Sequence, residues 1–409
     1  MAQTLKFGNG NFATKAGSTL CYDDQNGNFK PIPMDFTRAS TATRVNKQGL
    51  IEVVTNDRPR IDYTDTSDGV LLLEKAATNL ITYSEDLSQS DWVKTGLTVN
   101  VNQITSPDGG LNADEVDITT ANAHYLFDTI SVSASTNYTF TFYVKKGTAT
   151  DVSYSILNAT NFTNIVNTTS YFNEISDTDW TRISVEFTTP SGCTSIRTYP
   201  LRDGSSTGTV YIWGAMLEQN SVASSYIPTQ GSATTRVAET ASGAGNSEVF
   251  NDSQGVLFAN IAANANDGSV RHISLSDGST SNRIIMALDS NNQIRYYVEG
   301  TGGNILIQFT VTSILLPTKI LIKYKSNDFA YWINGFEVGT NTSAITFSGL
   351  NNISFNNPYQ GGSSPLYGKT KEIGYYNTIL TDLELETLTS YRTWTSMVNE
   401  LNLNIIYNG

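Results

Sequence analysis

Short runs in which apolar and polar residues alternate are the feature that most restricts the fold of this chain. In "NYTFTFYVKK" (137–146), aromatic residues alternate with threonines, which is the pattern of a strand with one buried face. The same alternation returns in "RISVEFTTP", "VYIWGAML", "KILIKYKS" and "FAYWINGFEV", and turn clusters such as "SPDGG", "RDGSSTG" and "TGG" lie between such runs. Many short strands separated by turns predict an all-β fold built from antiparallel sandwiches.

Two local signals within this pattern are specific enough to name residues. Asn334 and Gly335 separate two apolar runs, and an Asn-Gly pair in that position predicts a tight β-hairpin. Thr381 and Glu384 fit a capping box, and apolar residues then recur at helical spacing as far as Asn399, which predicts one C-terminal helix. The tail "LNLNIIYNG" alternates again and predicts an extended segment that pairs with another chain.

Length and charge limit the classes of protein to which the chain can belong. A chain of 409 residues is long enough for two or three domains. Only 15% of the residues are charged, so Asn, Ser, Thr and Gly must cover much of the surface. The formal net charge of -13 repels phosphate backbones and anionic lipids, so we expect neither a nucleic acid nor a membrane as a partner.

Two features bear on the compartment in which the protein is made. The opening "MAQTLKFGNGNF" has neither the basic start nor the apolar centre of a secretory signal, and no apolar run approaches the roughly 18 residues of a membrane span. Cys21 and Cys193 lie far apart without metal-ligand spacing, so we interpret both as buried, unreactive thiols. We therefore expect synthesis and folding in a cytoplasm.

Composition divides the chain into four parts. Residues 1–77 contain several Pro and Gly turns and little apolar periodicity, which predicts an irregular N-terminal attachment arm. Residues 78–240 form a first strand-rich block, and the small, polar "ASGAGNS" (241–247) is typical of a linker. Residues 248–409 form a second block with the C-terminal helix and tail. We therefore expect an arm followed by two antiparallel β-sandwiches.

The residues that usually carry catalysis or metal binding are sparse. His124 and His272 are isolated, and neither HExxH nor CxxC spacing occurs, so we interpret both histidines as satisfied surface side chains. We predict no catalytic site and no metal site of recognisable spacing. The acidic turns "SEDLSQSDW" (84–92) and "NADEVD" (112–117) leave three interpretations open: solvated turns first, a structural calcium ion second, and a catalytic carboxylate pair third.

Aromatic residues near turns, or on the more polar face of a strand, are the candidates for contact with sugars. A pyranose ring packs its C–H face on an aromatic ring while amide or carboxylate groups bind its hydroxyls. Core packing is the alternative for each such residue, and we assign Trp180 and Trp213 to the core. The selected glycan-binding candidates are Trp92, Tyr125, Tyr154, Trp332 and Tyr359.

Five phrases occur in a specific order: "RASTATRVNKQGLIEVV", "NDRPRIDY", "GVLLLEKAATNLITYSEDLSQSDW", "WGAMLEQNSVASSYIPT" and "GSATTRVAE". Together they resemble the head-spike or head-fibre proteins of tailed bacteriophages, in particular those of crAss-like phages. The resemblance covers roughly residues 1–240 and implies a carbohydrate-binding jelly roll after "TNL". The second block, with "YWINGFEVG" and "IGYYNTILTDLELETL", resembles a concanavalin-type or laminin-G-like sandwich.

The resemblance implies a structural protein of the virion surface, a head fibre or spike made in the host cytoplasm. Such a protein would adhere weakly to host-surface polysaccharide without catalysis, attach to capsid proteins through the N-terminal arm, and form a homotrimer. The first and last of the five phrases, "RASTATRVNKQGLIEVV" and "GSATTRVAE", are similar and are called the repeated arginine phrases. Their residues Arg38, Arg44 and Arg236 would pack the arm against the first sandwich. A tail-fibre polysaccharide depolymerase and a bacterial glycan-binding adhesin are the alternatives.

Overall fold

Strands make up most of the structure. The computed structural model describes residues 3–358, 363–401 and 403. The predicted all-β fold is confirmed, since short strands follow one another through most of this part of the chain. The strands are β1 (Leu5–Gly8), β2 (Thr14–Lys15), β3 (Ser18–Asp23), β4 (Lys30–Thr37), β5 (Ala42–Val45), β6 (Ile51–Val54), β7 (Arg60–Asp62), β8 (Val70–Leu73), β9 (Ala77–Asn79), β10 (Val93–Thr95), β11 (Leu97–Thr105), β12 (Leu111–Ile118), β13 (Tyr125–Ser131), β14 (Asn137–Lys146), β15 (Ser153–Asn158), β16 (Thr163–Ser170), β17 (Thr181–Thr188), β18 (Ser195–Arg202), β19 (Gly208–Glu218), β20 (Thr234–Arg236), β21 (Thr240–Ser242), β22 (Gln254–Ala263), β23 (Arg271–Ser276), β24 (Arg283–Asp289), β25 (Gln293–Gly300), β26 (Gly303–Thr310), β27 (Thr318–Lys325), β28 (Phe329–Ile333), β29 (Phe336–Asn341), β30 (Asn352–Ser354) and β31 (Gly368–Tyr376). The helices are α1 (Asp382–Thr389) and α2 (Trp394–Glu400), and short 3-10 turns occupy Gln25–Gly27 and Phe172–Glu174.

The chain forms two compact units that interleave along the sequence. Unit 1 contains the chain up to Ala39, then Val54–Lys75, then everything from Ala238 onward. Unit 2 contains Ser40–Val53 and Ala76–Val237. The chain therefore passes between the two units four times.

Unit 2 contains a sandwich of two five-stranded antiparallel sheets. One sheet has the order β10-β13-β18-β15-β16 and the other has the order β11-β12-β19-β14-β17. The alternation in β14 explains the core, because Phe140 and Phe142 are fully buried together with Ile156 of the opposite sheet. Trp213 lies in a second, smaller apolar cluster with Tyr226, so its predicted core position is confirmed. Two short ladders, β5 with β6 and β9 with β20, complete this unit.

Unit 1 is built on a twelve-stranded and a five-stranded sheet. The large sheet runs β21-β4-β3-β1-β31-β22-β27-β28-β29, with β2, β7 and β8 attached to it, and the smaller sheet runs β26-β25-β24-β23-β30. Apolar side chains of both sheets share one core, which includes Leu257 of β22 and Met286 of β24. At the tip of the hairpin between β28 and β29, Asn334 has a φ of 48° and Gly335 a φ of 88°. The predicted Asn-Gly hairpin is confirmed, because both residues adopt the left-handed conformation that such turns need.

Most of the segment predicted as an irregular arm, residues 1–77, belongs to unit 1, and its strands at 5–8, 18–23, 30–37 and 70–73 contribute to the core of that unit. β1 pairs with β31 in the register Leu5 to Tyr375 and Phe7 to Ile373, and Leu5 and Phe7 are almost completely buried. This differs from an arm with little core of its own. The difference arises because strands of two to eight residues, interrupted by Pro and Gly, show no periodicity over a longer window even though their apolar side chains are buried.

The predicted domain boundaries also differ from the observed units. Residues 40–53 belong to unit 2, and the predicted linker 241–247 overlaps β21, in which Ala241 pairs with Phe36 of β4. Ala241 and Ala244 are buried. Small residues allow close backbone packing as well as flexibility, so their presence does not by itself identify a linker.

The C-terminal helix is confirmed, but it is broken into two. The capping box at its start is present: the Thr381 backbone N–H donates to a Glu384 carboxylate oxygen at 2.8 Å, and the Glu384 N–H donates to the Thr381 hydroxyl at 3.4 Å. α1 ends at Thr389, and Thr393 caps the second helix, α2, because its hydroxyl accepts the Ser396 N–H at 3.0 Å. In the tail, residues 402 and 404–409 lie outside the described residues, so the predicted extended segment stays a prediction. None of the helices in the described ranges is long and apolar enough to cross a membrane.

A fully buried charge cluster within unit 1 involves two arginines and two glutamates. The carboxylate of Glu239 accepts from Arg38 Nη1 at 2.7 Å and from Arg60 Nε at 2.9 Å, and a Glu74 carboxylate oxygen lies 2.8 Å from Arg60 Nη2. Arg38 also donates to the Thr55 carbonyl at 2.7 Å. Burial alone would lower the pKa of Arg60, but the charges of Glu239 and Glu74 raise it. The cluster therefore compensates its own buried charges.

The other two arginines of the repeated phrases have structural contacts within unit 2. Arg44 forms an ion pair with Glu52 across the β5–β6 ladder, and Arg236 is buried and donates to the Ser225 hydroxyl at 2.9 Å. The observed partners of Arg38, Arg44 and Arg236 are carboxylates, carbonyls and hydroxyls of their own units, as expected of packing residues. The free arm that they were expected to hold is absent from the described structure of residues 3–77.

We expect Glu239→Gln to lower the free energy of unfolding of unit 1 by about 3 kcal/mol or more, because it leaves two buried guanidinium groups short of one negative charge. The matched control is Glu52→Gln, which breaks a partly exposed pair and should cost about 1 kcal/mol or less. Urea titrations followed by tryptophan fluorescence measure both changes. Equal losses in the two variants would contradict this role for the cluster.

Candidate functional site

Two of the predicted glycan-binding residues, Trp92 and Trp332, are buried, so their prediction as sugar contacts is wrong. Trp92 is 1% exposed, and its indole N–H donates to the Tyr83 carbonyl at 2.9 Å. Trp332 is 5% exposed and packs in an apolar cluster with Leu385 of α1. Trp92 was selected because a turn lies nearby in the sequence. Trp332 was selected because of its place on β28, but α1, which follows later in the chain, covers that side of the strand. Neither indole offers a free face to a sugar.

The other three candidates lie in different environments. Tyr154 is half-buried and stacks on the buried ring of Tyr171, with ring centroids 6.0 Å apart, so it packs against the main core of unit 2. Tyr359 lies outside the described residues. Tyr125 is half-buried on the opposite side of its sheet from that core. The structure therefore does not bring the five predicted residues together into one site.

Tyr125 belongs to an aromatic cluster that the sequence did not identify as a group. We call it the aromatic face: the side of the sheet β10-β13-β18-β15-β16 that carries Tyr125, Phe127, Leu157 and Tyr199, with Arg197 and Arg202. Alternation along β13 creates it, because Leu126 and Ile130 point into the main core and the residues between them point away. The rings of Phe127 and Tyr199 lie 4.9 Å apart, and those of Tyr125 and Tyr199 lie 6.4 Å apart.

Two guanidinium groups lie over these rings. The central carbon of Arg197 is 4.6 Å from the Phe127 ring centroid, and that of Arg202 is 4.9 Å from the Tyr199 ring centroid. Arg202 is also held by Ser155 and Asn164, whose side-chain oxygens accept from Nη1 at 3.1 and 3.0 Å. Phe127 and Tyr199 are themselves buried, so solvent reaches this face through the partly exposed side chains of Tyr125, Arg197 and Arg202.

Sequence reasoning missed most of this face for an identifiable reason. "YLFDTIS" and "SIRTYPLR" each show outward aromatic or arginine residues in alternation, but a sequence does not show that β13 pairs with β18. The register of that pair, Tyr125 opposite Arg202 and Thr129 opposite Arg197, produces the cluster. Alternating aromatic and arginine residues on strands of polar composition are the signal that could have indicated it.

The segment "GSSTG" (204–208) has the spacing of the serine elbow of hydrolases, and His124 and Asp151 lie near it. Both nitrogens of the His124 ring are used for structure: Nδ1 lies 2.9 Å from the Thr120 carbonyl, and Nε2 accepts the Gly204 N–H at 3.3 Å. The Ser206 hydroxyl donates to the Asp151 carbonyl at 3.1 Å. His124 therefore has no free nitrogen with which to activate a serine.

The remaining reactive groups are buried. Both histidines are buried, so their interpretation as surface side chains is wrong. Cys21 and Cys193 are buried free thiols, as predicted, and burial raises the pKa of Cys21 to about 12. A thiol of this kind stays protonated at neutral pH and is a poor nucleophile.

The acidic turns make structural hydrogen bonds. Asp114 accepts the backbone N–H groups of Leu87 at 2.8 Å and Asn102 at 3.1 Å, and Glu85 accepts the Tyr226 hydroxyl at 2.8 Å. In the described part of the chain, no three side chains of His, Cys, Asp or Glu lie close enough together to hold a metal ion. A structural calcium ion thus stays a prediction from the sequence, with no preformed group of ligands to support it.

Comparison with known proteins assigns the chain to no family. No protein-family model and no curated protein matches it.

Among solved structures, the CBM40 module of Ruminococcus gnavus IT-sialidase bound to alpha2,3 sialyllactose matches with a TM-score of 0.31 and 15% identity, over 34% of this chain and 84% of the module. The enzymatically active domain of bacteriophage CBA120 tailspike protein 4 matches with a TM-score of 0.26 and 15% identity, over 34% of this chain and 21% of that one. The CBM22-1 xylan-binding domain of Paenibacillus barcinonensis Xyn10C matches with a TM-score of 0.26 and 11% identity, over 36% and 94% of the two chains. Similarities this low do not extend the function of any of these proteins to the present chain.

We expect acid to destabilise unit 1 through His272. Burial, followed by the charges of Arg295 and Arg283, lowers the pKa of His272 to about 4 from an ordinary value near 6.5. The neutral ring is therefore favoured in the folded state, so its contribution is fully present above pH 6.5 and is lost as the pH falls toward 4.

The measurement is the free energy of unfolding at pH 7 and at pH 4.5 for the wild type and for His272→Gln, which cannot take up a proton. The wild type should lose about 2 to 3 kcal/mol more than the variant over this interval. Identical pH dependence in the two proteins would show that His272 does not titrate differently in the folded and unfolded states.

Proposed function

We propose that this protein binds glycans through the aromatic face of unit 2. The observation that carries the proposal is that the partly exposed side chains of Tyr125, Arg197 and Arg202 lie on a single side of one sheet, over the buried rings of Phe127 and Tyr199. Sugars bind to sites of this composition because aromatic groups contact their C–H faces and fixed donors bind their hydroxyls. The aromatic face lies on regular strands, so these groups are positioned by a sheet rather than by a mobile loop.

The proposed setting is the surface of a bacteriophage virion, as a head fibre or spike. Its support is the ordered set of phrases that resembles the head-fibre proteins of tailed phages. In this proposal unit 1 would attach to the capsid as a folded body, since residues 5–8 and 70–73 of the segment expected to attach are strands of its large sheet. A homotrimer on the particle belongs to the same proposal and rests on the resemblance alone.

Weak binding repeated over many copies suits this role. Tyr125, Arg197 and Arg202 lie on the outer side of a sheet, and a sugar site on such a side typically binds weakly. Display of many copies on one particle raises the apparent affinity by about 10² to 10⁴ when the sites can engage together. Adhesion would then be a property of the particle more than of the isolated chain.

Tyr125→Ala should weaken glycan binding by roughly fivefold, because it removes the most accessible ring of the aromatic face at a cost of about 1 kcal/mol of contact. The protein is immobilised at high density to reproduce multivalent display, and binding of host-surface polysaccharide is followed by biolayer interferometry. Phe29→Ala is the matched control, since Phe29 is a 75% exposed ring in unit 1. Unchanged binding by Tyr125→Ala, or an equal loss with Phe29→Ala, would argue against this face.

The purified protein should bind polysaccharide without cleaving it. Neither histidine is placed to act as a general base, because both are buried and both ring nitrogens of His124 are in hydrogen bonds. A reducing-end assay after prolonged incubation with host polysaccharide measures cleavage directly. Sustained release of oligosaccharides would favour the depolymerase alternative.

A further inference from the structure

Arg197 differs from the other arginine of the aromatic face in having no polar partner. Its guanidinium carbon lies 4.6 Å from the Phe127 ring centroid and 5.3 Å from the Phe162 ring centroid, so two rings flank it. Among the residues that the structure describes, its side chain makes no hydrogen bond or ion pair, and its Nε is buried without a partner. Arg202, by contrast, is bonded to Ser155 and Asn164.

The strands of this sheet offer no carboxylate to Arg197 on its own side. Across the five strands of this sheet, Asp128 is the only acidic residue, and it is buried on the opposite side, between Leu126 and Ile130 in the alternation. Several other arginines pair with carboxylates, as Arg271 does with Asp267 at 2.7 Å and Arg202 with Asp203 at 3.4 Å. An unpaired, partly desolvated cation is costly unless an anion completes it.

Phe162 supplies a second and independent indication of a binding site. It has a φ of 60°, a left-handed conformation that is rarely adopted by a bulky residue, and its side chain is 65% exposed. The loop holds this conformation with the Phe162 N–H donating to the Asn158 carbonyl at 2.8 Å. Such strain costs on the order of 1 kcal/mol or more and persists where the surrounding structure requires it. Here it keeps an exposed ring beside Arg197.

We infer that Arg197, between Phe127 and Phe162, binds the carboxylate of an acidic sugar such as a uronate. The planar fork of a guanidinium group matches the two oxygens of a carboxylate, and the exposed face of Phe162 is available to the C–H side of the same sugar ring. This inference rests on the proposed function, since it names the class of glycan that the aromatic face would select. A sulfate ester carries similar charge, and the experiment separates the two.

The test compares polymers that differ only in charge. Polygalacturonate is compared with its fully methyl-esterified form, and dextran sulfate with dextran, on densely immobilised wild-type protein. We expect polygalacturonate to bind about tenfold more tightly than its ester, which corresponds to about 1.4 kcal/mol. Tighter binding of dextran sulfate than of polygalacturonate would overturn the assignment to a carboxylate.

Three variants identify the responsible groups. Arg197→Gln should remove the preference for polygalacturonate over its ester. Arg197→Lys should retain only part of that preference, because an ammonium group lacks the planar fork. Arg44→Gln is the matched control, since it removes one positive charge from the same unit at a structural ion pair. An equal loss of preference in Arg44→Gln would show an effect of net charge and would overturn the inference.

Phe162→Asn keeps the test valid if the Arg197 variants fold poorly. Asn tolerates the left-handed conformation, so this variant should melt at a higher temperature than the wild type and yet lose binding of polygalacturonate. Unchanged binding by Phe162→Asn would contradict the inference. If the wild type binds both polymers of a pair equally and Arg197→Gln changes neither, the inference fails while the proposed function stands. If the wild type binds none of the polymers and no host polysaccharide, both fail.

Discussion

The carboxylate of Glu239, shared between two buried arginines, is the interaction on which the organisation of unit 1 depends. An ion removed from water must be paired with an opposite charge, so the cluster forms only when all four of its side chains come together. These are Arg38, Arg60, Glu74 and Glu239. Each of the four passages of the chain between the units lies within a few residues of the cluster, at Ala39, Val54, Lys75 and Ala238. The cluster thus holds together, inside unit 1, the ends of the three chain segments that enter or leave this unit. The repeated arginine phrases, "RASTATRVNKQGLIEVV" and "GSATTRVAE", lie at these passages.

Local features of the fold could be predicted from the sequence, and the assembly of distant segments could not. The all-β class, the Asn334-Gly335 hairpin and the Thr381 capping box each follow from neighbouring residues whose conformational preferences decide the outcome. The role of residues 1–77 could not be predicted, because it depends on pairing such as that of Leu5 with Tyr375. Hydrophobic periodicity carries no information about the partner of a strand.

In the candidate site, too, single residues could be selected from the sequence, but their assembly into a cluster could not be predicted. Tyr125 could be selected from its position on a polar strand, but Trp332 is covered by α1, which joins the sheet from a distant part of the sequence. The partners of Tyr125 come from β18, and only the register of the sheet places Arg197 and Arg202 beside the rings of β13. Exposure and clustering of side chains are tertiary properties, so an aromatic residue in a sequence is equally consistent with a core and with a binding surface.

The interleaving of the two units has a consequence for the order in which the protein folds on the ribosome. All of unit 2 has been synthesised once Val237 is added, so this unit can fold while the rest of the chain is still being made. β1, by contrast, must wait for β31, and until then Leu5 and Phe7 lack their place in the core. Residues 5–8 are therefore among the last parts of unit 1 to reach the native state, and until β31 has been made their apolar side chains and one strand edge stay without a partner.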